Sequence, residues 1–133
     1  MKRVELVPLS VAIRSGQDLE PMNPWPAEME RTPTVAHAQG TWFDGQEITA
    51  LVYEAEDGMI HFTDLPYDEF VFVLNGTAVL TTDGGEPQEF HTGDSFVAPR
   101  GWTGTWEFRK TYRELIVFEK KSLAAAVEKW KLI

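Results

Sequence analysis

The chain has 133 residues, of which 43% are hydrophobic and 12% aromatic, so it can bury one core of ordinary domain size. Its net charge is −9, and an acidic surface repels phosphate backbones and anionic lipids, which argues against nucleic acid and membrane partners. The absence of cysteine excludes disulfides, thiolate metal sites and cysteine nucleophiles. With no signal-peptide-like apolar run near residue 1, the sequence predicts a single-domain cytoplasmic protein.

Residues 1–40 form the first segment and contain five of the eight prolines, four of them between Pro21 and Pro33. Proline fixes φ and removes a backbone donor, so an extended N-terminal arm is predicted, with His37 on its surface. Two interpretations of this arm stay open. It is an irregular surface segment, or it packs on a second subunit with Trp25 as its anchor.

Residues 41–120 have the composition of β-strands. Runs rich in β-branched and aromatic residues occur at 48–55, 69–76, 77–82, 95–99 and 114–119. Turn signals such as Asp83-Gly84-Gly85 and Thr92-Gly93-Asp94 separate them at short spacing. The intervals are too short for crossover helices, so an all-β sandwich or closed barrel is predicted.

Residues 121–133 contain the one predicted helix, at 122–130, with Ser122 as its N-cap. Its apolar residues recur at helical spacing on one face. They are Leu123, Ala126, Val127 and Trp130. This stripe predicts a helix that packs on the sheet as a lid.

Two spaced motifs narrow the fold further. Glu69 is followed by six residues and then Gly76, and Gly93 is followed by five residues and then Pro99, with Gly101 two positions on. This pattern resembles the two signature motifs of the cupin superfamily, in which turns at glycine and proline fold antiparallel strands into a jelly roll. The resemblance implies an RmlC-like, double-stranded β-helix barrel over residues 41–120.

Metal-binding cupins hold an ion through a glutamate and histidines of these motifs. Glu69 stands at the glutamate position, but the histidine positions hold other residues. These are Thr63 and Leu65, or Phe62 and Asp64, in the first motif, and Gly104 in the second. The resemblance therefore implies a degenerate metal site and no cofactor, with a rearranged divalent-metal site through His61, His91 and Glu69 as the alternative.

Two segments of the chain resemble one subgroup of small cupins in particular. They are Tyr67-Asp68-Glu69 before an apolar strand and Gly-Trp-x-Gly-x-Trp after Pro99. These segments are similar to the ethanolamine-utilisation cupin protein and, more distantly, to the ureidoglycine aminohydrolases. The resemblance implies a homodimer of jelly rolls whose N-terminal segments cross between subunits. It implies no particular activity.

The strand after Gly101 predicts an aromatic pocket. By the period-two rule Trp102, Gly104, Trp106 and Phe108 share the face on which a cupin carries its histidine, with Gly104 leaving space between the rings. Glu69 would be the fixed polar group, and an acidic residue among indoles favours a cationic or hydrogen-bond-donating ligand such as an amine.

The catalytic candidates are Glu69 and Tyr67, and the ligand-binding candidates are Trp102, Trp106, Asp64, His61 and Phe108. Three hypotheses follow. The protein binds a small organic molecule, as an enzyme of amine or nitrogen metabolism or as a binder. Otherwise it is a non-catalytic sensing or structural cupin with a packed barrel, or a metalloenzyme with altered ligands.

Overall fold

The structure is a computed structural model that describes residues 3–33 and 35–133. These residues form eight strands and two helices. In order they are α1 (Val11–Arg14), β1 (Glu20–Pro21), β2 (His37–Asp44), β3 (Ile48–Ala55), β4 (Gly58–Phe62), β5 (Glu69–Thr82), β6 (Pro87–His91), β7 (Ser95–Ala98), β8 (Gly104–Glu119) and α2 (Lys120–Trp130). Among these described residues, neither helix has the length and apolarity needed to cross a bilayer.

Strands β5 and β8 join the two walls of the barrel, because each of them takes part in both walls. They pair antiparallel with each other over almost their full length. One wall has the order β1-β2-β3-β8-β5-β7, and the other has β4-β8-β5-β6. The expected all-β jelly-roll fold is therefore confirmed, and the runs 69–76 and 77–82 form one long strand.

The change from one wall to the other occurs at an irregularity in the β5–β8 pairing. The register shifts on both sides of Asn75, whose side-chain amide donates to the carbonyls of Lys110 and Thr111 at 3.2 and 2.8 Å. Gly76 has φ +79°, and a Cβ there would lie 2.5 Å from the Arg109 carbonyl oxygen. Only glycine fits this bend, which accounts for the glycine of the first motif.

Helix α2 begins at Lys120, two residues before the predicted start, and its N-cap is Glu119. The prediction of Ser122 as N-cap is wrong, because its hydroxyl donates to the Glu119 carboxylate at 2.5 Å instead of capping the helix. The predicted apolar stripe is confirmed: Ala126 and Trp130 are buried, and Leu123 and Val127 pack against the core.

The N-terminal segment is less extended than predicted and is anchored within its own subunit. Val11–Arg14 form one helical turn capped by the Ser10 hydroxyl. Trp25 is 7% exposed and packs in the core of its own barrel, with its ring 5.5 Å from that of Phe62. Trp25 is therefore not the anchor on a second subunit that one interpretation assigned to it, because the barrel mouth encloses its indole.

Candidate functional site

A cavity of about 50 Å³ lies inside the barrel, between the two walls and beneath both terminal segments. Its floor and sides come from inward-facing strand residues, and its cover comes from residues near the two ends of the chain. The lining residues are Met22, Trp25, Gln39, Leu51, Tyr53, Phe62, Tyr67, Glu69, Trp106, Phe108, Glu114, Ile116, Phe118, Leu123, Val127 and Leu132. Helix α2 thus closes one side of the cavity, as a lid would.

Strand alternation places two glutamates on the inner face. Glu114 shares its side of β8 with Ile116 and Phe118, and Glu69 shares its side of β5 with Val71. The pairing register sets Glu69 opposite Phe118, so the two carboxylates belong to neighbouring strands that look into one cavity. The cupin motif predicts Glu69 as a site residue, whereas Glu114 was not predicted, although its alternation with Ile116 and Phe118 indicates an inward position.

Glu69 is 4% exposed and lies among apolar side chains. Burial raises the pKa of its carboxyl well above the ordinary value, and the negative charge of Glu114 raises it further. Glu114 is equally enclosed, and burial raises its pKa to about 8. Its carboxylate accepts a 2.5 Å hydrogen bond from the Tyr112 hydroxyl, which opposes that rise. At neutral pH the pair therefore holds protons that exposed carboxyls would have lost.

The oxygens of Glu69 are open to the cavity. Across residues 3–33 and 35–133, the indole nitrogen of Trp106 is the one fully enclosed side-chain nitrogen or oxygen that lacks a hydrogen-bond partner. The carboxylate of Glu69, the hydroxyl of Tyr67 and one oxygen of Glu114 have no partner among these residues either. Those oxygens therefore keep some accessible surface, and all three residues line the cavity.

Tyr67 lies beside Glu69 on the cavity wall, with its ring 4.8 Å from that of Phe118 and 6.2 Å from that of Trp130. Burial raises the pKa of its phenol well above the ordinary value, and the nearby carboxylates raise it further. Tyr67 is therefore a neutral hydroxyl that can donate or accept a hydrogen bond. The structure thus brings four of the predicted site residues together: Tyr67, Glu69, Trp106 and Phe108.

His37 supports the cavity from behind instead of lying on the surface, which corrects the prediction for this residue. Its ring nitrogens lie 2.9 Å from the Tyr53 hydroxyl and 2.5 Å from the Asn23 carbonyl oxygen. The Trp25 indole donates to the same Tyr53 hydroxyl at 3.1 Å. Burial lowers the pKa of His37, so the ring is neutral, donates to Asn23 and accepts from Tyr53.

Trp102 lies outside the cavity, contrary to the expected common face. It precedes β8, and its indole donates to the Thr82 hydroxyl at 2.9 Å. A Cβ on Gly104 would lie 2.5 Å from the Trp102 ring and 2.4 Å from the Thr81 carbonyl oxygen. Gly104 therefore leaves no free space between indoles, because the ring of Trp102 already covers it.

His61 and Asp64 also lie away from the cavity lining. The His61 ring is 3.1 Å from the Asp83 carboxylate near the outside of the barrel. Asp64 occupies a turn with φ +52°, where its backbone N–H donates to the Thr103 hydroxyl and its side chain is exposed. Their expected place in the same pocket as Glu69 is thus corrected, since His61 lies on the outer face of strand β4 and Asp64 lies in the turn after that strand.

The alternative metal site does not form from the residues proposed for it. The three side chains have different neighbours. His91 bonds the Thr77 hydroxyl at 3.2 Å, His61 bonds the Asp83 carboxylate, and Glu69 lies inside the cavity. In the described part of the chain no three histidine, aspartate or glutamate side chains converge. The cavity offers carboxylates without imidazoles, a donor set that does not fit the metal centre of the cupin motifs.

Many solved structures share this fold, among them three bacterial proteins. A protein of unknown function from Pseudomonas syringae pv. tomato has a TM-score of 0.70 and 17% identity, covering 75% of this chain and 43% of its own. The EutQ protein of Clostridium difficile has a TM-score of 0.58 and 18% identity, covering 71% and 79%. A putative ethanolamine utilization protein Q from Salmonella typhimurium has a TM-score of 0.58 and 19% identity, covering 77% and 98%.

At such low identities these likenesses establish the fold alone, and the chain spans less than half of the Pseudomonas syringae protein. No curated protein sequence matches the chain significantly. A family model described as an EutQ-like cupin domain matches residues 44–120, which is more than half of the chain. These residues hold both motifs and most of the cavity wall, and the chain therefore belongs to the EutQ-like cupin family.

Proposed function

We propose that this cupin binds a small organic ammonium ion in its barrel cavity, with Glu69 as the polar anchor. The observation that carries this proposal is the Glu69 carboxylate, which is buried, has no protein partner among the described residues and is open to the cavity. The described lining contains no lysine, arginine or histidine. A buried carboxylate needs a proton or a cation, and an ammonium ligand supplies the cation together with hydrogen-bond donors.

The walls and the size of the cavity favour the same class of ligand. Aromatic rings attract cations over their faces, and several rings surround the carboxylate. They belong to Trp25, Tyr53, Phe62, Tyr67, Trp106, Phe108 and Phe118. The volume of about 50 Å³ corresponds to roughly three to five water-sized positions. A short aliphatic amine therefore fits, whereas a polyphosphate or a nucleotide does not.

Binding requires Glu69 to lose its proton, so the affinity for an amine rises with pH as this carboxyl ionises. An enzymatic role in amine chemistry would use the same groups, with Glu69 accepting and returning the proton beside the Tyr67 hydroxyl. A structural cupin with a packed barrel is the second candidate, and the small cavity volume is the observation that favours it.

Titration of the protein with n-butylamine, followed by calorimetry and tryptophan fluorescence, separates these candidates. We expect saturable binding that Glu69→Gln removes. Glu128→Gln is the matched control, because Glu128 is exposed on helix α2. Saturable binding that is unchanged in Glu69→Gln would contradict the assigned anchor, and no binding to the folded wild-type protein would favour the packed barrel.

The homodimer implied by the family resemblance stays a prediction, as does the cytoplasmic location. Sedimentation velocity at micromolar concentration tests the first, with a species of twice the 15.1 kDa chain mass as the expected result. Cell fractionation tests the second.

A further inference from the structure

The cavity contains a second buried carboxylate, that of Glu114. Glu114 pairs with Val73 across the β5–β8 ladder, whereas Glu69 pairs with Phe118. Glu69 and Val73 are four positions apart, which is about 13 Å of backbone at 3.3 Å per residue. The two glutamates therefore start from well-separated points and extend into the same enclosed space.

Each glutamate offers a free acceptor to that space. One oxygen of Glu114 is bonded to Tyr112, and the other has no partner in the described part of the chain. In the described residues, the indole nitrogen of Trp106 is the one fully enclosed side-chain nitrogen or oxygen that lacks a partner. The second oxygen of Glu114 and the oxygens of Glu69 also lack partners, so they keep some accessible surface, and both residues line the cavity. The space between them is bounded by apolar side chains such as Phe108 and Ile116.

We propose that the ligand is a short aliphatic diamine, which places one ammonium group at Glu69 and the other at Glu114. This inference rests on the proposed function and specifies its ligand class. A single ammonium ion neutralises one of the two buried carboxylates, while the other carboxyl keeps its proton. A diammonium ion neutralises both, and its methylene groups pack on the aromatic and aliphatic walls.

The charge balance of binding is an exchange of protons for ammonium groups. Each carboxyl that holds a proton in the free protein gives it to solvent when an ammonium group takes its place. Apart from this proton transfer from the carboxyl to water, no covalent bond forms or breaks, and the net charge of the cavity stays at zero. At a pH where both amines are fully protonated, a diamine therefore releases one more proton than a monoamine.

The test compares 1,3-diaminopropane with n-butylamine, which has the same number of non-hydrogen atoms. The proteins are the wild type, Glu114→Gln and the exposed control Glu128→Gln, each checked for folding by thermal unfolding. In the wild type and the control we expect the diamine to bind at least about tenfold more tightly. In Glu114→Gln that preference disappears, because glutamine still accepts the Tyr112 bond but carries no charge.

The outcomes separate this inference from the proposed function. If butylamine binds the wild type as tightly as the diamine, the ligand class proposed here is wrong and the Glu69 anchor stands. If neither amine binds, both proposals fail. Should Glu114→Gln not fold, calorimetry of the wild type in buffers of different ionisation enthalpy counts the protons. An equal count for the two amines would then overturn the diamine.

Discussion

The hydroxyl of Tyr112 donates a 2.5 Å hydrogen bond to the carboxylate of Glu114, two residues along the same face of strand β8. The bond stabilises the ionised form of Glu114, whereas burial opposes it, and burial has the larger effect on the pKa. Protonation of this carboxyl is therefore linked to folding.

Stability is expected to fall as pH rises from 4.5, the ordinary pKa of the glutamate carboxyl, to about 8, its pKa in the folded protein. In this interval the folded state keeps a proton that the unfolded state has lost. Below pH 4.5 the carboxyl is protonated in both the folded and the unfolded state, so Glu114 does not make the free energy of unfolding depend on pH. The slope for one such group is at most roughly 1.4 kcal/mol per pH unit.

Urea unfolding at several pH values checks this expectation. Glu69 acts in the same direction, since burial raises its pKa too, whereas the lowered pKa of His37 makes stability rise as pH approaches 6.5. Glu114→Gln should flatten the decline above pH 6.5, and Glu128→Gln should leave it unchanged. An identical decline in wild type and Glu114→Gln would show that Glu114 ionises freely.

Replacement of Trp25 by alanine should destabilise the fold by roughly 3–5 kcal/mol. The indole is 7% exposed, packs against the rings of Phe62 and Trp130, and donates to Tyr53. Phe70→Ala is the control, because this ring is 42% exposed on the outer face, and it should cost less than about 1 kcal/mol. Equal losses in denaturant unfolding would mean that the N-terminal segment is not part of the core.

Gly104→Ala should destabilise the protein by about 1–3 kcal/mol, because the new methyl group would lie 2.4 Å from the Thr81 carbonyl oxygen. That oxygen belongs to the β5–β8 ladder and cannot move without loss of pairing. Gly85→Ala, where the nearest atom is 3.2 Å away, is the matched control and should have a smaller effect. Thermal unfolding of both variants measures the difference, and a neutral Gly104→Ala would show that the Thr81 carbonyl can move without loss of strand pairing.

Trp102→Ala should leave the Kd for an amine within about threefold of the wild-type value. Phe108→Ala should raise this Kd by more than about threefold. Phe108 is part of the cavity wall, whereas Trp102 lies over Gly104 and bonds Thr82. Calorimetry is the measurement, since it does not depend on indole fluorescence. A stronger loss in Trp102→Ala would place the ligand outside the barrel.

Local patterns explain which strand predictions succeeded. The run 48–55 is strand β3 to the residue, because it is rich in β-branched and aromatic residues and most of them are buried, on both faces. Strand β6 begins at Pro87 and has mostly exposed residues, so it carried no such signal. It forms because β5 continues past Gly76 and presents an unpaired edge, which is a tertiary cause.

The period-two rule explains one success and one failure at the site. Trp106 and Phe108 belong to β8 and alternate inward as predicted. Trp102 precedes Gly104, the first residue of that strand, and closes the turn at Arg100 and Gly101 through its backbone N–H, which donates to the Pro99 carbonyl. Alternation is a property of extended backbone, so it could not be carried back to Trp102.

The sequence alone determined the all-β barrel and the lid helix, because turn residues and the spacing of apolar residues are local properties of the chain. The resemblance of its two motifs to those of cupins added the jelly roll and the inward position of Glu69. Only the tertiary structure decided that Glu114 faces the same cavity as Glu69 and that His37 lies behind it. Those relationships depend on the register between strands distant in sequence and on where the N-terminal segment packs. Such distances are fixed by the packing of the whole barrel and by no short stretch of residues.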